Sequence, residues 1–253
     1  MNNLIKAELF KLRKDRVFRT LLLILAASAV AFPFMFYFDN LSDGDSQTPA
    51  IEYLSEALTG NGFIIKFGVS ILAGFFIANE YSTGVMKTIA SSGSSRGRLF
   101  LAKLTGFSVG GMLLSLVFPV ILMLTASLLS GFGQLPEEAS AYYIVRVAGL
   151  TLLYAASFSA VAALFATMLT ESGKSIGFSI IFFMMIDWIL NVIGSYIPFF
   201  KTLYDYSIFK LLGGIGKWRL ESGDMTAIWL VPLLTIALSG LLGYLVYRRK
   251  EIK

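Results

Sequence analysis

Leu21–Phe38 reads LLLILAASAVAFPFMFYF, a stretch without a single charge, entered from Lys14, Arg16 and Arg19 and left through Asp39. At about 1.5 Å per residue, a helix of this length nearly spans the roughly 30 Å hydrocarbon core of a bilayer. A secretory signal core would be shorter and followed by a small-residue cleavage site. Here Asp39, Asp43 and Asp45 follow instead, so the stretch reads as a membrane span. Five more apolar runs lie downstream, at about Phe63–Ala78, Leu99–Ser130, Ile144–Leu169, Ile176–Ile197 and Ile228–Tyr247. The second is interrupted only by Lys66 near its outer end, and the fifth stops at Pro198. The third is longer than a bilayer needs, so its inner part is expected to project into water, with Pro119 as a kink point.

Composition points the same way. Of 253 residues, 56% are hydrophobic and 15% charged, and the mean hydropathy is +0.74. Soluble domains run at about 45–50% apolar and about 25% charged. An exterior this apolar is tolerated only by lipid. The fold class is therefore all-α integral membrane, with six transmembrane helices in one domain over residues 1–253. The net charge of +5 sits in short patches between apolar runs, which is no nucleic-acid footprint. The chain has neither cysteine nor histidine, which argues against a zinc site, a metalloprotease or redox chemistry.

Orientation follows from the basic residues, which concentrate in cytoplasmic loops. With the N-terminus inside, fifteen fall on the cytoplasmic side: Lys6, Lys11, Arg13, Lys14, Arg16, Arg19, Lys87, Arg96, Arg98, Lys103, Lys174, Arg248, Arg249, Lys250 and Lys253. Six fall outside: Lys66, Arg146, Lys201, Lys210, Lys217 and Arg219. The first outer loop, residues 39–62, holds five acids and no base. Both termini are thus expected in the cytoplasm. Residues 1–19 place Ile5, Leu9 and Leu12 on one stripe among lysines and arginines. This suits an amphipathic helix lying on an anionic inner leaflet, although a plain positive-inside anchor has the same composition. Residues 198–227, with Phe199, Phe200, Tyr204, Tyr206 and Phe209 near their start, form an outer loop that is either exposed or re-entrant.

Little in the chain suggests catalysis. Ser172-Gly173-Lys174-Ser175 has the end of a phosphate-binding loop, but the glycine required five residues before Gly173 is Met168. Asp187 is the one carboxylate deep in an apolar run. A charge at that depth is costly, so it faces the protein interior or a wet cavity. It reads either as lining a translocation path or as a hydrogen-bonded Asp, with Asn191 one turn on as its candidate partner.

The second loop and its shoulders carry more: Phe76-Ile77-Ala78-Asn79-Glu80-Tyr81-Ser82-Thr83-Gly84-Val85-Met86-Lys87-Thr88-Ile89-Ala90-Ser91-Ser92-Gly93-Ser94-Ser95-Arg96-Gly97-Arg98-Leu99-Phe100-Leu101-Ala102-Lys103. A carboxylate closes the second span, Gly84 breaks the chain, and a short helix with Val85, Lys87 and Ile89 follows. A Ser/Gly turn and a basic entry then lead into the third span. Such an element is either an ordinary charged loop or a helix lying across the inner face, able to dock a soluble partner.

This segment resembles the signature of ABC-2-type permeases, the membrane subunits of one class of ATP-driven exporters. Glu80, Gly84, Lys87, Ser92, Arg96 and Lys103 match the family pattern in order. Ala7-Glu8-Leu9-Phe10-Lys11-Leu12-Arg13 resembles the interfacial helix that opens these permeases. The resemblance covers the whole chain. It departs at Ser91-Ser92-Gly93, where the family often has a proline. Subunits of this length without an ATPase domain are similar to those serving peptide antibiotic or toxin export and immunity, such as phenol-soluble modulin exporters.

The resemblance implies a bacterial plasma-membrane permease that is not itself an enzyme. ATP and Mg would be bound by a partner ATPase present in two copies, and a second permease copy, identical or paralogous, would complete the path. Residues 80–98 would form the coupling-helix loop, with Glu80, Tyr81, Gly84, Lys87, Ser92, Arg96 and Lys103 as coupling residues. Asp187 and Asn191 would line the path. Glu80 is expected to pair with Arg13, Arg16 or Arg96. The competing readings are an ion-coupled secondary transporter built on Asp187 and a membrane hydrolase, for which the sequence shows no nucleophile–base pair.

Overall fold

The computed structural model describes residues 1–44, 46–90, 93–134, 140–218 and 222–250. Among these there is no strand. Six helices are long and apolar enough to cross a bilayer, the number expected from the apolar runs. In chain order the elements begin with α1 (Asn2–Lys14), α2 (Arg16–Asp43) and α3 (Ala50–Ala73), which runs through a π-helical turn (Gly74–Ala78) into α4 (Asn79–Ser82). Then come α5 (Val85–Ala90), α6 (Arg96–Ser130), α7 (Ser140–Leu169) and α8 (Ser172–Tyr196). The short α9 (Pro198–Asp205) and α10 (Ile208–Leu212) precede α11 (Ser222–Arg249).

The basic N-terminal segment, expected to be one helix over residues 1–19, is two elements. Asp15 takes an extended conformation and its carboxylate accepts the amide of Phe18 at 2.8 Å. An aspartate that caps a following helix in this way ends the preceding one. Arg16 and Arg19 therefore belong to the first spanning helix, not to α1. The first outer loop is also shorter than its charge pattern suggests. Helix α2 continues to Asp43, where Gly44 ends it with φ +74°, and α3 already begins at Ala50. Hydropathy locates only the lipid-immersed part of a helix. The extra turns of α3 form because Ala50, Ile51, Tyr53 and Leu54 are buried and the amides of Ala50 and Ile51 bond the carbonyls of Gly131 and Phe132 at 3.0 and 3.1 Å. Helix α6 runs unbroken through Pro119.

Helix α7 occupies the centre, packed by α3, α6, α8 and α11. Its inner face is made of small residues, Ala155, Ala156, Ala160, Ala162, Ala163 and Ala166, with Ser157 and Ser159 between them, all buried. Small side chains let helix backbones approach closely in a membrane, where no hydrophobic force separates protein from lipid tails. The hydroxyls of Ser70, Ser159 and Thr167 bond back to carbonyls one turn earlier at 2.7 Å each, which satisfies them inside an apolar core. Bulk is supplied by Phe76, Phe107, Phe158 and Phe183, all fully buried. By contrast α2, α8 and α11 expose long apolar faces, among them Leu23, Ile24, Ile181, Trp188, Leu234 and Leu241.

Candidate functional site

The polar features gather at the two ends of the bundle. At one end, α3 leads through its π turn into α4, and Glu80 lies at the junction, 6% exposed. Both Lys11 of α1 and Lys103 of α6 make ion pairs with its carboxylate. Lys103 reaches Glu8 as well, at 3.1 Å. Lys11 donates to the Phe76 carbonyl at 2.8 Å, and its ammonium stands 3.8 Å over the Phe76 ring. Two carboxylates and two ammoniums thus close a neutral quartet, the arrangement that makes buried charge tolerable. Burial, and after it the proximity of Lys103, holds Lys11 below the ordinary lysine range, with Glu80 and Glu8 acting against the shift.

Glycines allow α1 to reach this depth. A Cβ on Gly106 would lie 2.8 Å from the Glu8 Cβ, and one on Gly110 would lie 2.8 and 2.9 Å from methyls of Leu72 and Leu12. The expected arginine partners of Glu80 are therefore replaced by lysines. Glu80 pairs with Lys11 and Lys103 rather than with Arg13 or Arg16, and Arg96 turns to the C-terminal carbonyls of Arg248 and Lys250. Glu8 and Lys11 carried a signal that could have been read: they stand three residues apart on α1, and Gly106 and Gly110 stand four apart on α6.

Beyond Glu80 the chain turns at Gly84, with φ +73°, and again at Gly93, with φ +79°. Between them lies α5 (Val85–Ala90), in the segment where the sequence suggests a short helix. Its Met86 is 1% exposed and packs with Leu99, Phe100 and Tyr247. Val85, Lys87 and Thr88 point outward. Tyr81 is half-buried beneath the Lys250 ammonium, 5.3 Å from its ring centre. Arg96 donates to the carbonyls of Arg248 and Lys250 at 3.0 and 2.9 Å. Glu80, Tyr81, Gly84, Lys87, Arg96 and Lys103 are therefore collected at one end of the molecule, whereas Ser92 lies outside the described residues.

At the opposite end, Asp187 of α8 accepts the Tyr204 hydroxyl at 2.9 Å and faces the Lys66 ammonium at 3.5 Å. Asn191, the partner expected from helical spacing, is exposed, and the contacts of Asp187 come from α3 and α9 instead. Asp187, Tyr204, Asp205, Tyr206, Phe209, Lys210 and Lys217 help line a cavity of about 630 Å³. Its rim is held by α7: the Tyr143 hydroxyl bonds the Gly216 carbonyl at 2.9 Å, and Arg146 bonds those of Lys217 and Trp218 at 2.5 and 3.1 Å. Burial, and then the bond to Asp187, pushes the Tyr204 phenol up to about 12.

The family model for ABC-2 family transporter proteins matches residues 4–184. That range includes the quartet, α5, the central helix and about the first half of α8, ending before Asp187. No curated protein matches the chain. With six apolar helices and a match over most of its length, the chain belongs to the ABC-2 family of transporter proteins, as a membrane transport component.

Proposed function

We propose that this chain is the permease subunit of an ATP-driven exporter in a bacterial plasma membrane, with both termini cytoplasmic. Two copies of a separate ABC ATPase bind ATP and Mg and seat α5 from the cytoplasm. A second permease copy, identical or paralogous, completes the translocation path. The observation that carries this reading is the position of Glu80. The carboxylate sits immediately before the outward-facing α5 and is tied by Lys11 to α1 and by Lys103 to α6. A push on α5 therefore reaches two helices at once, and a packed bundle answers such a push by switching between discrete arrangements. Positive-inside counting supports placing this end in the cytoplasm. The cargo proposed is a hydrophobic or amphipathic peptide, consistent with the mixed aromatic and charged lining around Asp187.

The test is a detergent pull-down of the tagged chain from its native membrane, followed by ATP turnover in the eluate. A stoichiometric ATPase that is lost when residues 83–92 are replaced supports the reading. A chain that comes down alone overturns it. The second reading, an ion-coupled carrier, draws on the Lys66–Asp187–Tyr204 group. It predicts transport abolished by ionophores but not by ATP depletion.

A further inference from the structure

The last turn of α11 lies at the α5 end of the molecule and touches three elements there. The Tyr247 side chain is 1% exposed, and its hydroxyl contacts the Met86 sulfur of α5 at 3.5 Å. The Tyr247 ring packs 5.7 Å from that of Phe100 on α6. Glycine again permits the fit, because a Cβ on Gly243 would come within 2.6 Å of the Phe100 ring. Three residues on, the Lys250 ammonium donates to the carbonyls of Thr167 and Met168, at 2.5 and 3.0 Å. These belong to the last turn of α7, whose carbonyls have no partner within their own helix. Thr170, at φ +59°, then turns the chain directly into α8. Arg96 serves the end of α11 in the same way, binding the carbonyls of Arg248 and Lys250. A cation at a helix C-terminus meets both the free carbonyls and the negative end of the helix dipole.

Two separate connections therefore leave the α4–α5 segment. One passes through Glu80 to α1 and α6. The other passes from Met86 to Tyr247 and from Lys250 to the α7–α8 turn, and α8 carries Asp187 toward the cavity at the far end. We propose that Met86, Tyr247 and Lys250 are positioning residues forming a second transmission arm, which carries ATPase-driven movement of α5 to α7 and α8. Without it, movement of α5 would reach α1 and α6 through Glu80 and the Asp187 cavity only through Lys66 of α3, with α7 and α8 left behind. This inference rests on the coupling reading given above.

The experiment exploits the absence of cysteine in the chain. Tyr206 lines the cavity and is 61% exposed, so Tyr206→Cys provides a single thiol there. The complex, purified with its ATPase and placed in liposomes, is labelled with a maleimide with and without ATP and vanadate. In the otherwise native chain the labelling rate is expected to change several-fold on nucleotide trapping. Adding Lys250→Met should cut that change by at least half while the ATPase stays bound and turns over ATP within about twofold of native. Lys250→Arg, which keeps a cation at the end of α7, should restore at least part of it. Tyr247→Phe, which keeps the ring and loses only the contact with sulfur, should reduce the change partially and guards against a general folding defect. A full nucleotide response in Lys250→Met overturns the proposal, and so does loss of the ATPase from that variant, which would make Lys250 a docking residue. If the native chain binds no ATPase, the coupling reading itself has failed.

Discussion

Removing the Glu80 carboxylate isolates the energetics of the buried quartet. The side chain of Glu80 is 8% exposed and that of Lys103 4%, whereas Lys11 retains 34%. Glu80→Ala leaves the Lys103 ammonium buried with Glu8 alone at 3.1 Å, and leaves Lys11 beside it as a like charge. Breaking a buried ion pair by deleting one partner costs about 3–5 kcal/mol. The lower end applies here, because Glu8 remains on Lys103 and the partly exposed Lys11 can turn toward water. A loss of about 3 kcal/mol corresponds to a fall of roughly 6–12 °C in Tm, by the scaling for chains of about 150–250 residues. The assay is helical circular dichroism on heating in one fixed detergent. The decisive comparison is Glu80→Ala combined with Lys103→Met, which replaces the pair by apolar groups and leaves Glu8 with Lys11. Such replacements are often neutral, so the double variant should recover at least half of the loss, a coupling above about 1 kcal/mol. Strictly additive losses would refute the reasoning.

Three further expectations concern other parts of the structure. Gly106→Leu should push α1 off α6, because even a Cβ meets Glu8 at 2.8 Å; trypsin cleavage at Arg13 and Lys14 in the folded protein should speed up at least tenfold, and unchanged cleavage would contradict the packing. Tyr204, with its folded pKa raised from 10.0 to about 12, binds a proton more tightly folded than unfolded, so its contribution is complete below pH 10 and is lost as pH rises through 12. In absorbance at 295 nm this phenolate should appear late in folded protein and earlier in Asp187→Asn, and coincident titrations would remove Asp187 as a cause. Arg146→Met should free the carbonyls of Lys217 and Trp218, and hydrogen exchange across 213–218 should rise at least tenfold while that of α7 stays unchanged.

Six spanning helices were legible in the sequence because each depends on local properties. The length of an apolar run and the deficit of charge are both carried by neighbouring residues. Helix ends were less legible. The extra turns of α3 at Ala50 depend on carbonyls of Gly131 and Phe132, more than seventy residues away, and the break at Asp15 depends on one capping bond. That Glu80 would need a cation, and that Asp187 would face inward, also followed from sequence, since lipid does not solvate charge.

Which partners they found was decided only by tertiary packing. The arginines nearest in composition to the expected pattern were passed over for Lys11 and Lys103, because the glycines on α6 let α1 settle at one depth and one rotation. Helical spacing likewise favoured Asn191 for Asp187, yet Lys66 and Tyr204 arrive from α3 and α9. Periodicity tells which face of a helix is apolar. It holds no information on the height at which one helix lies against the next, and a shift of one turn exchanges every polar partner.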